Sequence, residues 1–209
     1  MKPRPDALVL DLDGVLRHFD PAVHGPLEAA AGLDAGAIRD VAFDPRVLHP
    51  VLVGKQSHEQ WAETTAEVLA FRHDLDLPAA RALMTEWMAY RGEVDPAVLG
   101  FVAEARAAGV PVGLATNATS RLDADLELLG LSEAFDVVVN SSVVGVHKPT
   151  KEYFRIVCDA LGRPPAQCLF VDDDDRNVRG ARAAGLSAYR WNGPADLPYL
   201  RAALGLPRA

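Results

Sequence analysis

Cysteine is scarce in this chain of 209 residues. There are two, Cys158 and Cys168, and they do not form a CxxC. A disulfide-built scaffold and a CxxC redox or metal motif are thereby excluded. Two reduced thiols in the core of a cytoplasmic protein are expected instead. Positive charge is also short, with 21 Lys and Arg against 29 Asp and Glu and a formal net charge of -8. No basic face offsets that balance, which argues against a nucleic-acid partner. A phosphorylated ligand stays open, because local fields and metal ions can outweigh net charge. Long apolar runs are missing too. None approaches the roughly 18 residues of a membrane span, so no membrane partner is expected. The apolar stretch after Met1-Lys2-Pro3-Arg4-Pro5 is too short for a signal peptide with its cleavage site. Internal repeats and low-complexity segments are absent. His24, His49, His58 and His73 fall in no recognisable metal-ligand spacing.

What is present is ordinary in bulk: 49% hydrophobic and 24% charged residues, the balance of a soluble globular chain. The length allows one domain of usual size plus a smaller subdomain. The local signal is concentrated at the start. Ala7-Leu8-Val9-Leu10 runs into Asp11-Leu12-Asp13-Gly14. In a strand, residues i and i+2 share a side, so Asp11 and Asp13 project together where the strand ends. Two carboxylates held together need a cation, a shared proton or open water. In open α/β sheets, sites form beyond the carboxyl ends of the strands.

Helical patterning follows up to about Arg91. Ser57-His58-Glu59-Gln60 reads as a capping box ahead of Trp61, Thr65, Val68 and Leu69. A second helix is expected from Pro78, with Leu83, Trp87 and Tyr90 on one stripe. Residues 20–50 are weaker helical territory, with Ile38 and Val41 the clear apolar pair. No strand is expected in this block, and Trp61 and Trp87 read as its core. From Asp95 helix and strand alternate. Helices are expected over 96–108, 120–129, 151–161 and 177–184. Strands are expected at 110–115, 135–139, 168–171 and 187–191. Crossovers of that length imply a mostly parallel sheet covered on both faces.

Four polar clusters fall at strand ends or helix starts: Asp11 with Asp13, Thr116-Asn117, Lys148, and Asp172-Asp173. Neighbouring parallel strands bring them to one edge. Carboxylates from two strands make a hard oxygen site of the kind Mg²⁺ accepts. A hydroxyl, backbone N–H groups and a lysine complete what a phosphate needs.

Asp11-Leu12-Asp13-Gly14-Val15-Leu16, Thr116-Asn117, Lys148-Pro149 and Val171-Asp172-Asp173 resemble, in order, the four motifs of the haloacid dehalogenase superfamily. The resemblance is nearest to its phosphatase branch. It implies a Rossmann-like α/β core at 1–16 and 94–209, with an all-helical, C1-type cap subdomain inserted at 17–93. It implies a Mg²⁺-dependent phosphatase of small phosphorylated metabolites, monomeric or homodimeric. Asp11 would be the nucleophile that forms an aspartyl-phosphate. Asp13 would protonate the leaving oxygen and then activate water. Thr116 and Asn117 would bind the phosphoryl oxygens, the latter through its backbone N–H, and Lys148 would neutralise charge. Asp11, Asp173 and the Asp13 carbonyl would ligate Mg²⁺, with Asp172 acting directly or through a water. Dehalogenases of the family lack the second aspartate, so Asp13 implies a phosphate ester. Thr150-Lys151 and the extra acids Asp174 and Asp175 depart from the pattern. Arg17, His18 and Lys55 are the candidates for contact with the rest of the substrate. A phosphomutase of the same fold, or a silent phospho-ligand-binding protein, are the competing readings.

Overall fold

The computed structural model describes residues 4–207. Its central feature is a five-stranded sheet ordered β5-β4-β1-β6-β7, in which every neighbouring pair is parallel. The strands are β1 (Ala7–Leu10), β4 (Val112–Thr116), β5 (Val137–Asn140), β6 (Cys168–Asp172) and β7 (Ser187–Arg190). β1 is central, and its four side chains are all buried, as a strand covered on both faces requires. Alternation divides them. Leu8 and Leu10 pack with Phe101 and Val102 of α6 (Pro96–Ala107), with α7 (Leu122–Leu128) and with α11 (Leu197–Leu204). Ala7 and Val9 face the other way, towards α9 (Lys151–Leu161) and α10 (Asp175–Ala183). Each leucine buried in these layers contributes about 1.5–3 kcal/mol.

The block between β1 and α6 is helical: α1 (Gly25–Ala30), α2 (Ala37–Ala42), α3 (Pro45–Leu52), α4 (His58–His73) and α5 (Leu77–Trp87). Both halves of the capping box at Ser57 and Gln60 form. Ile38 and Val41 are fully buried against Ala66, Leu69 and Met84. Trp61 is buried with Val47 and Val51, and its indole N–H donates to the Ala42 carbonyl at 3.2 Å. Tyr90 departs from expectation. α5 stops at Trp87, and the Tyr90 hydroxyl accepts from the Asp20 backbone N–H instead. Two further short strands bracket the block. β2 (Arg17–His18) and β3 (Glu93–Val94) pair antiparallel, so the chain leaves and re-enters the α/β part side by side. Two residues per strand are too few to leave a periodic trace. Another short helix, α8 (Ser141–Val144), lies where a loop was expected.

Cys158 and Cys168 are free and buried, on α9 and β6. Among the described residues no helix is long and apolar enough to cross a membrane.

Candidate active site

Sheet register builds the site. Leu10 lies opposite Leu114 on one side and Val171 on the other. Asp11, the end of β4 and Asp172 therefore finish three neighbouring strands at one level. The chain turns at once after β1, since Leu12 C=O accepts from both Leu16 N–H (2.9 Å) and Arg17 N–H (2.7 Å). Gly14 makes this turn possible at φ 84°, in the region glycine favours. A Cβ on Gly14 would also collide with the Asp173 carboxylate.

Asp11 is 8% exposed. Its Oδ1 accepts from the Leu12 N–H at 2.7 Å and lies 2.7 Å from Lys148 Nζ. Both donors address the same oxygen, so Oδ2 is the one left for an incoming atom. Lys148 is 2% exposed and donates equally to Asp172 Oδ2, at 2.7 Å. Asn117 places this lysine. Its Oδ1 accepts from Lys148 N–H at 2.8 Å, and its Nδ2 donates to Lys148 C=O at 3.1 Å. The Asn117 side chain is thus committed, and its backbone N–H is what it can offer a ligand. Thr116, the last residue of β4, is 1% exposed. Tyr153 steadies that strand end, its hydroxyl lying 2.7 Å from Val139 C=O and 3.2 Å from Thr116 C=O.

Asp172 is fully buried. Besides Lys148, Asn177 Nδ2 donates to both of its oxygens at 3.1 Å, and Asp174 N–H donates to Oδ1 at 2.8 Å. These donors hold the carboxylate in place. Asp173, the next residue, is exposed, as is Asp175 further along the run.

Carboxylate oxygens of Asp11, Asp172 and Asp173 lie within 4.8 Å of one another. Three carboxylates face one ammonium, so the group has an excess of negative charge. Burial pushes the Asp11 carboxyl up to about 8, with Lys148 opposing and Asp172 adding to the rise. Although the residue as a whole is exposed, its carboxyl lies against Gly14, and that local desolvation raises Asp173, reinforced by Asp172. Burial works against the Lys148 ammonium, but Asp11 and Asp172 outweigh it and hold its pKa above the ordinary lysine value. A divalent cation among these hard oxygens would supply the missing positive charge, and the donor set fits Mg²⁺.

Asp13 stands apart from that group. Arg17 holds it with a two-pronged grip, Nε to Oδ1 at 2.6 Å and Nη2 to Oδ2 at 3.0 Å. Arg17 was expected to meet substrate, yet it is 6% exposed and also donates from Nη1 to Asp125 Oδ2 at 3.2 Å. His18, one residue on in β2, faces the opposite way. Its Nε2 is 3.7 Å from Asp95 Oδ2. Lys55 is exposed in the turn after α3. That turn touches the α/β part, where a Cβ on Gly54 would strike the Ser142 carbonyl. No ion pair joins Lys55 to the site among the described residues.

Sequence reading missed the surroundings of Arg17. Asp125 is buried and lies within 3.4 Å of Arg91 Nε and 3.1 Å of Arg121 Nε. Arg121 Nη1 in turn lies 2.7 Å from His58 Nε2, at the start of α4. The available signal was the Arg121–Asp125 pair at i, i+4, which is a common surface pattern.

Residues 5–185 match the family model described as haloacid dehalogenase-like hydrolase. A phosphatase of Mycobacterium tuberculosis is 30% identical over 195 residues, covering 88% of this chain and 85% of that protein. The fructose-1-phosphate phosphatase of Escherichia coli is 28% identical over 193 residues, covering 90% and 97%. Among solved structures, a HAD family enzyme of Bacteroides thetaiotaomicron in complex with magnesium and inorganic phosphate superposes with TM-score 0.70. It is 17% identical, covering 90% of this chain and 94% of that one.

Proposed function

Because this chain belongs to the haloacid dehalogenase-like hydrolases, we propose that it is a Mg²⁺-dependent phosphatase. Its substrates would be small phosphate monoesters such as sugar phosphates, hydrolysed through an aspartyl-phosphate on Asp11. One observation carries this reading. An under-neutralised carboxylate group around Lys148 stands beside a second aspartate, Asp13, that is kept out of it. A phosphoryl transfer needs the first, and a leaving oxygen that must take up a proton needs the second. The relatives' names, a phosphatase and a fructose-1-phosphate phosphatase, support the same class.

Mg²⁺ would be held by Asp11, Asp173 and the Asp13 carbonyl, with Asp172 acting through a water. When bound, it would offset the repulsion between carboxylate and phosphate dianion. Asp11 Oδ2 attacks phosphorus in line, while Lys148 and the Leu12 N–H steady Oδ1. The P–O bond to the leaving group breaks, and Asp13 gives its proton to that oxygen. Asp13 then takes a proton from the water that cleaves the acyl phosphate. The Thr116 hydroxyl and the Asn117 N–H bind the phosphoryl oxygens. Residues 17–93 act as a C1-type cap on the core formed by 1–16 and 94–209, hinged at the β2–β3 ribbon. Its closure keeps bulk water out. The protein works in the cytoplasm as a monomer or homodimer, without nucleic acid or membrane.

Asp11→Asn removes the nucleophile without changing side-chain volume. Phosphate release from a panel of phosphorylated metabolites in Mg²⁺ should fall to the level of protein-free buffer, with the circular dichroism spectrum unchanged. Substantial remaining activity would remove Asp11 from its role. Isomer formation without free phosphate would identify a phosphomutase, and tight binding without turnover a silent ligand-binding protein.

A further inference from the structure

We propose that Arg17 is a positioning residue: its guanidinium aims the Asp13 carboxyl at the leaving oxygen, and Asp125 anchors Arg17 from behind. The inference rests on the phosphatase reading of Asp13. All three guanidinium nitrogens of Arg17 are engaged, Nε and Nη2 by Asp13 and Nη1 by Asp125. Two of its five N–H groups remain, but with 7% of the side chain exposed they have little room for the substrate contact expected from its place in the chain. The backbone is fixed as well. Arg17 N–H donates to Leu12 C=O at 2.7 Å, and its C=O accepts from Gly14 N–H at 2.8 Å. The guanidinium sits 5.0 Å over the Phe19 ring.

The Asp13 side chain is 44% exposed, against 7% for that of Arg17. Alone it would be free to turn about χ1 and χ2. A planar fork with two parallel N–H bonds fixes the plane of the carboxyl as well as its position. Each carboxyl oxygen keeps a second lone-pair direction outside the fork, and a proton carried there points along a fixed line. Asp125 is itself buried and held in place by Arg91 and Arg121. A lysine at position 17 would keep the charge and lose the plane.

The test is the dependence of kcat/KM on the leaving group, measured with ring-substituted phenyl phosphates in Mg²⁺. This constant covers steps only up to departure of the phenol. Wild type should show a shallow dependence, because Asp13 neutralises the leaving oxygen. Asp13→Asn should show a steep one. Arg17→Met should follow Asp13→Asn, losing roughly 10²-fold on the poorest leaving groups and little on the best. Arg17→Lys should fall between wild type and Arg17→Met. A merely structural role lowers every substrate equally, so slopes parallel to wild type in both Arg17 variants overturn the proposal. If Arg17→Met does not fold, Arg17→Lys decides alone by the same criterion. Wild type and Asp11→Asn on the same series report separately on the phosphatase reading. If those two do not differ, that reading fails and the Arg17 proposal falls with it.

Discussion

At the scale of single residues, the site separates two kinds of carboxylate. Asp11, Asp172 and Asp173 share one ammonium and lack positive charge. Asp13 is instead gripped by Arg17, which Asp125 also engages. The i, i+2 spacing puts Asp11 and Asp13 at the same strand end, but it does not say which cation each meets. That depends on Lys148, which meets Asp11, and on Arg17, which meets Asp13. Gly14 is the residue on which this separation turns, because Asp173 occupies the space its side chain would need. Gly14→Ala should therefore displace Asp173 and strain a backbone at φ 84°, costing about 1–2 kcal/mol for the left-handed conformation alone. A Mg²⁺ titration of activity should show half-saturation at a concentration at least about tenfold higher, the effect of 1.4 kcal/mol on one ligand site. An unchanged half-saturation point would mean that Asp173 does not hold the ion. His18 illustrates how close spacing misleads. In a strand its side chain takes the face opposite that of Arg17, and so it meets Asp95.

At the scale of elements, the strands and long helices were legible because each carries a period and a stop. α4 has its capping box and α9 its Thr150 N-cap and Gly162 C-cap, all present as expected. β2, β3 and α8 were not legible, being held by contacts rather than by pattern. Tyr90 has helical spacing from Trp87, yet α5 ends and the ring packs edge-on against Phe19. The start of α4 carries a consequence that its sequence does not announce. His58 N–H donates to Ser120 Oγ at 3.0 Å, and its ring lies between Thr119 Oγ1 and Arg121. Burial, and then the Arg121 charge, lower the His58 pKa to about 4 from the ordinary 6.5. The unfolded chain then takes up this proton before the folded one. The stabilisation is complete above pH 6.5 and lost as pH falls towards 4. Thermal midpoints should drop over this window more steeply in wild type than in His58→Gln, and equal slopes would contradict the assignment.

At the scale of the whole molecule, an under-neutralised site in the middle of the sheet ties cation binding to folding. Asp11 directly follows β1, Asp172 ends β6 and Asp173 begins the loop after it, so the three meet only in the folded chain. A cation that binds only there stabilises the fold by about 2.7 kcal/mol at 100 times its dissociation constant. For a chain of this size, that raises the melting temperature by roughly 5–10 °C. Differential scanning calorimetry should show this rise with Mg²⁺ and its reversal with a chelator, and Asp173→Asn should reduce it. A melting temperature indifferent to Mg²⁺ would count against the site.

The amino-acid sequence by itself determined the α/β class, the succession of core strands along the chain and the polar residues at their ends. Each of these follows from local periodicity and from residues that start or stop an element. Only the tertiary structure decided which charges meet. Lys148 is brought between Asp11 and Asp172, Asn177 onto Asp172, and Asp125 onto Arg17 across 108 positions of chain. The strength of an ion pair depends on distance and burial, and neither quantity is encoded in local spacing. Arg17 therefore looks from the sequence like a residue free to meet substrate, and the folded chain engages it on both sides.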